Sequence, residues 1–87
     1  ITGCSSGIGR YTAIALQKRG WLVIASCRKQ QDCDVLRTKY GLDTVLIDYE
    51  KPATIESGLA DTLNITGGRL DVLFNNGAYA IPAAVEE

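Results

Sequence analysis

Three glycines within residues 3–9 constrain the fold of this chain more than any other feature of its sequence. They occur in Thr2-Gly3-Cys4-Ser5-Ser6-Gly7-Ile8-Gly9, and an apolar helical pattern follows at once. Gly3 permits a sharp exit from a strand, Gly7 exposes the backbone because it lacks a Cβ, and Gly9 permits close packing of helix on strand. The free N–H groups of the new helix would face an anion. The pattern therefore predicts a loop that holds the pyrophosphate of a dinucleotide.

Helical and strand-like segments alternate along the rest of the chain. We expect a first helix over residues 8–19 and a second that is capped by Asp32 or Asp34 and extends to Tyr40. A third helix is expected to begin at Pro52 and to end at Gly67-Gly68. Ile1 is expected to be the last residue of a first strand, and the apolar runs at residues 21–25, 44–48 and 70–74 are expected to be the second, third and fourth strands. This order predicts the α/β class: a Rossmann-like, three-layer αβα fold with a parallel sheet, the incomplete N-terminal part of a doubly wound domain covering residues 1–87.

Apolar spacing predicts which helix faces are buried. In the first helix the apolar positions are Ile8, Tyr11, Ile14 and Ala15, with Ala13 and Leu16 widening the apolar surface. In the third helix they are Ile55, Leu59 and Leu63. Trp21 is expected to pack at the entrance of its strand.

Composition excludes several classes of partner. A formal net charge of -1 argues against nucleic acid, and no apolar run is long enough to span a membrane. The three cysteines form no C-x-x-C pair, which predicts reduced thiols in a cytoplasmic protein and no metal site. Cys4 lies where a helix N-terminus can lower a thiol pKa, although an inert small residue would fit the loop equally well.

The glycine loop, an aspartate closing the third strand and Asn75-Asn76-Gly77-Ala78 after the fourth together resemble the short-chain dehydrogenase/reductase family. The resemblance covers essentially the whole chain. It implies a Rossmann fold that binds NAD or NADP, and hydride transfer between the nicotinamide and a small-molecule alcohol or carbonyl. It also implies a homodimer or homotetramer.

The resemblance assigns roles to individual residues. The pyrophosphate and the adenosine ribose would be held by Gly3, Cys4, Ser5, Ser6, Gly7, Ile8 and Gly9. Asp48 would contact the adenine amino group, with the Tyr49 backbone beside it. Asn76 and Gly77 would line the ribose, Asn75 would support the sheet, and Thr2 would brace the loop after the fourth strand. The family usually has Ala-Gly where this chain has Gly77-Ala78, so Ala78 would be strained if that position requires a positive φ.

The end of the second strand bears on the choice between NADP and NAD. An acidic residue there would bind the ribose diol and repel a 2′-phosphate, but the chain has Ala25-Ser26-Cys27-Arg28-Lys29. Arg28 offers a planar cation suited to phosphate, which favours NADP. Arg28 and Lys29 could instead be ordinary solvated loop residues.

Each motif has a simpler explanation when taken alone. Asp48 could cap the helix that starts at Pro52, and Asn75-Asn76-Gly77 is ordinary turn chemistry. The glycine loop could hold another phosphate ligand, such as flavin mononucleotide. Their occurrence together at one sheet edge favours the dinucleotide.

Catalytic residues are not found in this sequence. It contains no histidine, and no tyrosine is followed four residues later by lysine, the pair that the family uses for proton transfer. We assign no catalytic residue and expect the sequence to be an excerpt of a longer protein, inactive alone. The alternative function is a non-catalytic dinucleotide-binding or sensor protein of the same fold.

Overall fold

The computed structural model describes residues 1–76, which form three helices and a two-stranded parallel sheet. The helices are α1 (Gly7–Lys18), α2 (Gln30–Tyr40) and α3 (Pro52–Thr66), and the strands are β1 (Ile24–Cys27) and β2 (Asp43–Leu46). The register pairs Ile24 with Asp43 and Cys27 with Leu46. The alternation of helices and parallel strands predicted from the sequence is therefore confirmed.

Two extended segments continue the sheet beyond β1. The Ile1 nitrogen donates to the carbonyl of Ile24 at 2.8 Å, and Ser26 N–H donates to the carbonyl of Ile1 at 2.9 Å. Thr2 N–H donates in turn to the carbonyl of Phe74 at 3.1 Å. Four segments therefore lie side by side, in the order β2, β1, residues 1–3 and residues 72–74. The strand expected at 70–74 is present only as an extended segment, since one backbone bond to Thr2 does not make a regular ladder.

The second strand begins later than its apolar run predicts. The run starts at Trp21, but Trp21 and Leu22 are 50% and 59% exposed, and β1 starts at Ile24. Pairing with β2 begins there, where Ile24 lies opposite Asp43. All four residues of β1 are buried, which confirms the prediction of a strand covered on both faces.

Alternate residues of β1 face different layers. Ala25 and Cys27 join a core cluster with Ala13 of α1 and Leu36 of α2. Ile24 and Ser26 border the opposite side of the sheet, where α3 packs against β2. Helices thus lie on both faces, as the predicted three-layer arrangement requires.

The buried face of α3 differs from the predicted one. Ile55 and Leu59 are 42% and 51% exposed, whereas Gly58 and Thr62 are buried. A methyl group at Gly58 would lie 2.5 Å from Ile47 Cγ1. The helix therefore contacts the sheet through its small residues, because only they permit this close approach.

The large apolar side chains of α3 border an open groove instead. This groove of about 540 Å³ lies between α3, the sheet and residues 69–74, and residues 3–9 do not line it. The apolar face predicted for α1 is confirmed in part: Ala13 is buried, and Ile14 and Leu16 pack against the core, whereas Ile8 and Tyr11 are exposed and Gly9 is buried instead.

The helix ends largely agree with the sequence signals. Gly41 and Gly67 are the C-caps of α2 and α3, and Pro52 occupies the first turn of α3, all as predicted. The predicted cap of α2 is wrong, because Lys29 occupies that position and Asp32 lies inside the first turn. In the first turn the carboxylate of Asp32 still interacts favourably with the positive end of the helix dipole.

Candidate functional site

The glycine loop leaves the sheet at the carboxyl edge, between the first extended segment and α1. Gly3 has a φ of 69°, a left-handed conformation that glycine adopts without steric cost, so the predicted sharp turn is present. Cys4 N–H then donates to the carbonyl of Ser26 at 2.9 Å. This bond fastens the loop to β1 before the chain turns into α1.

The N-terminus of α1 is open to a ligand. Its N-cap residue Ser6 makes no side-chain hydrogen bond to the helix, and the first turn contains no acidic residue. Ser5, Ser6, Gly7 and Ile8 are all exposed. Among residues 1–76, nothing lies within 4 Å of the position that a Cβ would take on Gly7. Uncapped N–H groups, a positive dipole end and free space are what an anion such as a pyrophosphate requires, so these residues fit it.

Gly9 is where α1 approaches the first extended segment most closely. A methyl group there would overlap the carbonyl oxygen of Gly3 and lie 2.7 Å from Asn76 Nδ2. The close packing that the sequence predicts for Gly9 is therefore observed, and it involves Asn76 as well as the strand.

The cysteine thiols are buried and protonated. Cys4 is fully buried, and its Sγ donates to the carbonyl of Ile1 at 3.2 Å. Burial raises the pKa of Cys4, and also that of Cys33 and of Cys27, which reaches about 12. The pKa of Cys4 is therefore raised and not lowered, and its side chain is a packing residue of the core.

Asp48 follows β2 at the same edge of the sheet, and three of its groups are fixed by hydrogen bonds. Its N–H donates to Thr54 Oγ1 at 2.8 Å, and its carbonyl accepts from Lys51 N–H at 2.8 Å. Its Oδ1 accepts from the N–H of Glu50 at 3.0 Å. The N-cap residue of α3 is Lys51, so Asp48 does not cap that helix. Tyr49, beside it, is partly exposed.

Asn75 and Asn76 follow the last extended segment. Asn76 Nδ2 donates to the carbonyl of Gly3 at 3.3 Å, whereas the Asn75 side chain is exposed. The backbone bond from Thr2 to Phe74 braces this segment in the way expected of Thr2. Gly77 and Ala78, the other two residues predicted here, lie outside the described residues.

Arg28 directly follows β1 and is exposed. Within residues 1–76 its guanidinium group forms no ion pair or hydrogen bond. Lys29, the next residue, begins α2 as its N-cap residue. A cation at the end of β1 is thus available to an anionic ligand.

The fold brings some of the predicted residues into contact and places others only at the same edge of the sheet. Gly3, Gly9 and Asn76 are in direct contact, whereas Arg28 and Asp48 share only the carboxyl edge of the sheet with them. Sequence reasoning missed Thr54, which binds the Asp48 backbone from the first turn of α3. A hydroxyl residue six positions after the aspartate was the available signal.

Two further findings concern the described residues only. None of their helices has the length and apolar character needed to cross a bilayer. No group of three or more potential metal ligands is found among them.

Comparison with known proteins gives a consistent result. The family model described as "short chain dehydrogenase" matches residues 1–87. An uncharacterized oxidoreductase of Escherichia coli, YbbO, is 36% identical over 81 residues, which is 93% of this chain and 30% of that protein. The L-xylulose reductase of Mesocricetus auratus is 38% identical over 82 residues, covering 93% of this chain and 32% of that protein. Retinol dehydrogenase 7 of Rattus norvegicus is 34% identical over 90 residues, covering 100% of this chain and 28% of that protein. The chain thus spans 28–32% of the length of these relatives.

Proposed function

The chain belongs to the short-chain dehydrogenase family, and from that premise we propose that it binds NADP(H) as part of an oxidoreductase that interconverts an alcohol and a carbonyl. The observation that carries this proposal is the open N-terminus of α1, with its uncapped first turn and free space above Gly7. Relatives named as a reductase, a dehydrogenase and an oxidoreductase support the reaction class.

Different residues at the carboxyl edge of the sheet bind different parts of the cofactor. Backbone N–H groups of residues 3–9 hold the pyrophosphate through the dipole end of α1. Asp48 and the Tyr49 backbone receive the adenine, and Asn76 with Gly77 lines the ribose, with Asn75 and Ala78 beside them. When bound, the nicotinamide supplies hydride exchange with a small-molecule substrate. Residues 1–87 contribute cofactor binding and no proton-transfer group of their own, because they contain no Tyr-x-x-x-Lys pair.

Arg28 makes NADP the preferred cofactor over NAD. Arg28 and Lys29, the two residues that directly follow β1, are both basic, so neither repels a 2′-phosphate. The unpaired guanidinium of Arg28 can bind phosphate through two N–H groups at once. Buried, reduced thiols suit a cytoplasmic protein, and a homodimer or homotetramer is the assembly that the family resemblance implies.

Titration calorimetry with NADPH and with NADH tests this proposal on the full natural polypeptide. We expect NADPH to bind more tightly than NADH. Arg28→Asp should weaken NADPH by roughly 10- to 100-fold, the range of a lost charge-assisted hydrogen bond, and leave NADH nearly unchanged. Arg19→Asp is the matched control, because Arg19 is exposed at the opposite edge of the sheet and the charge change is identical.

The possible results separate the parts of the proposal. No heat with either cofactor would refute dinucleotide binding. Equal losses for NADPH and NADH in Arg28→Asp would refute the role of Arg28. Tight binding without turnover of any carbonyl by the natural polypeptide would favour a non-catalytic sensor of the same fold.

A further inference from the structure

Thr54 holds the main chain of Asp48 at two points. Its Oγ1 accepts from Asp48 N–H at 2.8 Å and lies 3.0 Å from the carbonyl oxygen of Asp48. The same Oγ1 lies 2.7 Å from the carbonyl oxygen of Lys51, so its single proton is shared between these two acceptors. One hydroxyl group therefore closes the turn between β2 and α3.

The packing of α3 places Thr54 at this turn. Thr54, Gly58 and Thr62 are spaced four residues apart and lie on the same face of the helix. The close approach of Gly58 to Ile47 seats that face against the end of β2. Thr54 thus lies one helical turn before the contact point, beside the residue that directly follows Ile47.

The carboxylate of Asp48 is oriented by the same turn. Oδ1 accepts from Glu50 N–H at 3.0 Å, and no hydrogen bond within residues 1–76 reaches Oδ2. An acceptor that is fixed at one oxygen and open at the other suits an amino donor. The position of that open oxygen depends on the backbone that Thr54 fastens.

We propose that Thr54 is a positioning residue that orients the Asp48 carboxylate toward the 6-amino group of the adenine. This inference rests on the proposed function. Thr54 does not touch the cofactor; it acts by restricting the backbone of the residue that does. Its loss weakens binding only of a cofactor that carries the amino group.

The experiment measures the Kd of NADPH and of its deamino analogue, in which oxygen replaces the 6-amino group, for variants of the full natural polypeptide. Thr54→Val removes the hydroxyl and keeps the shape, and we expect roughly 5- to 20-fold weaker NADPH binding. Binding of the deamino analogue should change by less than about 2-fold, because it has no donor for Asp48. Thr54→Ser keeps the hydroxyl group that Thr54→Val removes, and this variant should bind NADPH as the unmodified protein does.

Thr62→Val is the matched control. Thr62 lies on the same face of α3 and donates to the carbonyl of Gly58 at 2.8 Å, so its loss perturbs the helix without reaching Asp48. This variant should bind both cofactors as the unmodified protein does, although its stability falls. Amide exchange of the unmodified protein adds a test that needs no variant: Asp48 N–H should be protected by its bond to Thr54.

Several results would overturn the inference. If Thr54→Val weakened the binding of NADPH and of the analogue equally, the role of Thr54 would be merely structural. If it weakened the binding of neither, Thr54 would have no role in cofactor binding. An unprotected Asp48 amide would contradict the hydrogen bond itself. Tight NADPH binding without discrimination against the analogue would refute the inference and leave the proposed function standing, whereas no binding of either cofactor would refute both.

Discussion

The side-chain amide of Asn76 donates a hydrogen bond to the carbonyl oxygen of Gly3 at 3.3 Å, and so joins the glycine loop to a segment 73 residues further along the chain. The N-terminus of α1 and the end of the last extended segment thereby become parts of one edge. The glycine loop is therefore held on one side by a residue that is distant in the sequence.

Replacing Asn76 tests that connection. Asn76→Asp keeps the size of the side chain but puts a carboxylate oxygen, which cannot donate, against the Gly3 carbonyl. We expect a loss of about 1–3 kcal/mol in the free energy of unfolding, measured by urea denaturation. Asn75→Asp makes the same chemical change on an exposed neighbour and should cost less than about 0.5 kcal/mol. Similar losses in the two variants would contradict the assigned contact.

Gly9 and Gly7 require glycine for different reasons, and a double-mutant cycle can separate them. Gly9→Ala introduces a methyl group that overlaps the carbonyl oxygen of Gly3 and lies 2.7 Å from Asn76 Nδ2, and the two overlaps together should cost about 1–3 kcal/mol. Gly7→Ala meets open space and suffers only the strain of a φ of 62°, about 1–2 kcal/mol. With Asn76→Ala added, the cost of Gly9→Ala should be less than additive, while that of Gly7→Ala should remain additive. Additivity at Gly9 would mean that the overlap with the Gly3 carbonyl alone sets the cost of Gly9→Ala, and it would contradict a contribution from Asn76.

Gly58→Ala should destabilise the protein, contrary to the usual effect of alanine in a helix. An exposed helical glycine gains about 1 kcal/mol when replaced by alanine. Here the methyl group would lie 2.5 Å from Ile47 Cγ1 and 3.1 Å from the Leu46 carbonyl oxygen, so we expect a loss of about 1–3 kcal/mol instead. Thermal denaturation gives the sign directly. A gain in Tm would mean that α3 does not rest on Ile47.

Buried thiols should make the protein sensitive to alkaline pH. Burial raises the pKa of Cys27 to about 12 in the folded protein, whereas in the unfolded chain the thiol titrates near 9.0. The resulting stability is fully present below pH 9.0 and is lost as pH rises toward about 12. The free energy of unfolding should fall by up to about 1.4 kcal/mol per pH unit for this thiol alone.

The variant Cys27→Ala checks this assignment. It removes the titrating group, so its stability should be lower at neutral pH but should decline less steeply between pH 9 and pH 11 than that of the unmodified protein. Urea denaturation at several pH values measures both slopes. Parallel slopes would mean that the Cys27 thiol is not shielded from water.

Local sequence signals predicted those parts of the fold that depend on a few neighbouring residues. Gly41, Gly67 and Pro52 terminate or begin helices at the expected places, because the conformations these positions need are set by the residue itself. Gly3 makes the predicted turn for the same reason, since its φ of 69° suits glycine. Gly9 is predictable because only a residue without a Cβ permits the close approach of α1.

Tertiary structure alone decided where pairing begins and which helix faces are buried. Trp21 belongs to an apolar run but lies before β1, because a strand starts where it finds a partner. Ile55 and Leu59 have helical spacing, yet the face of Gly58 and Thr62 is buried against the sheet. The side chain of Ile47 and the carbonyl oxygen of Leu46 approach α3 there too closely for larger side chains. The sequence determined the alternation of elements and the turn of the glycine loop. The contact of Asn76 with Gly3 arises only when distant segments pack together, and that of Thr54 with Asp48 only when α3 packs against the end of β2.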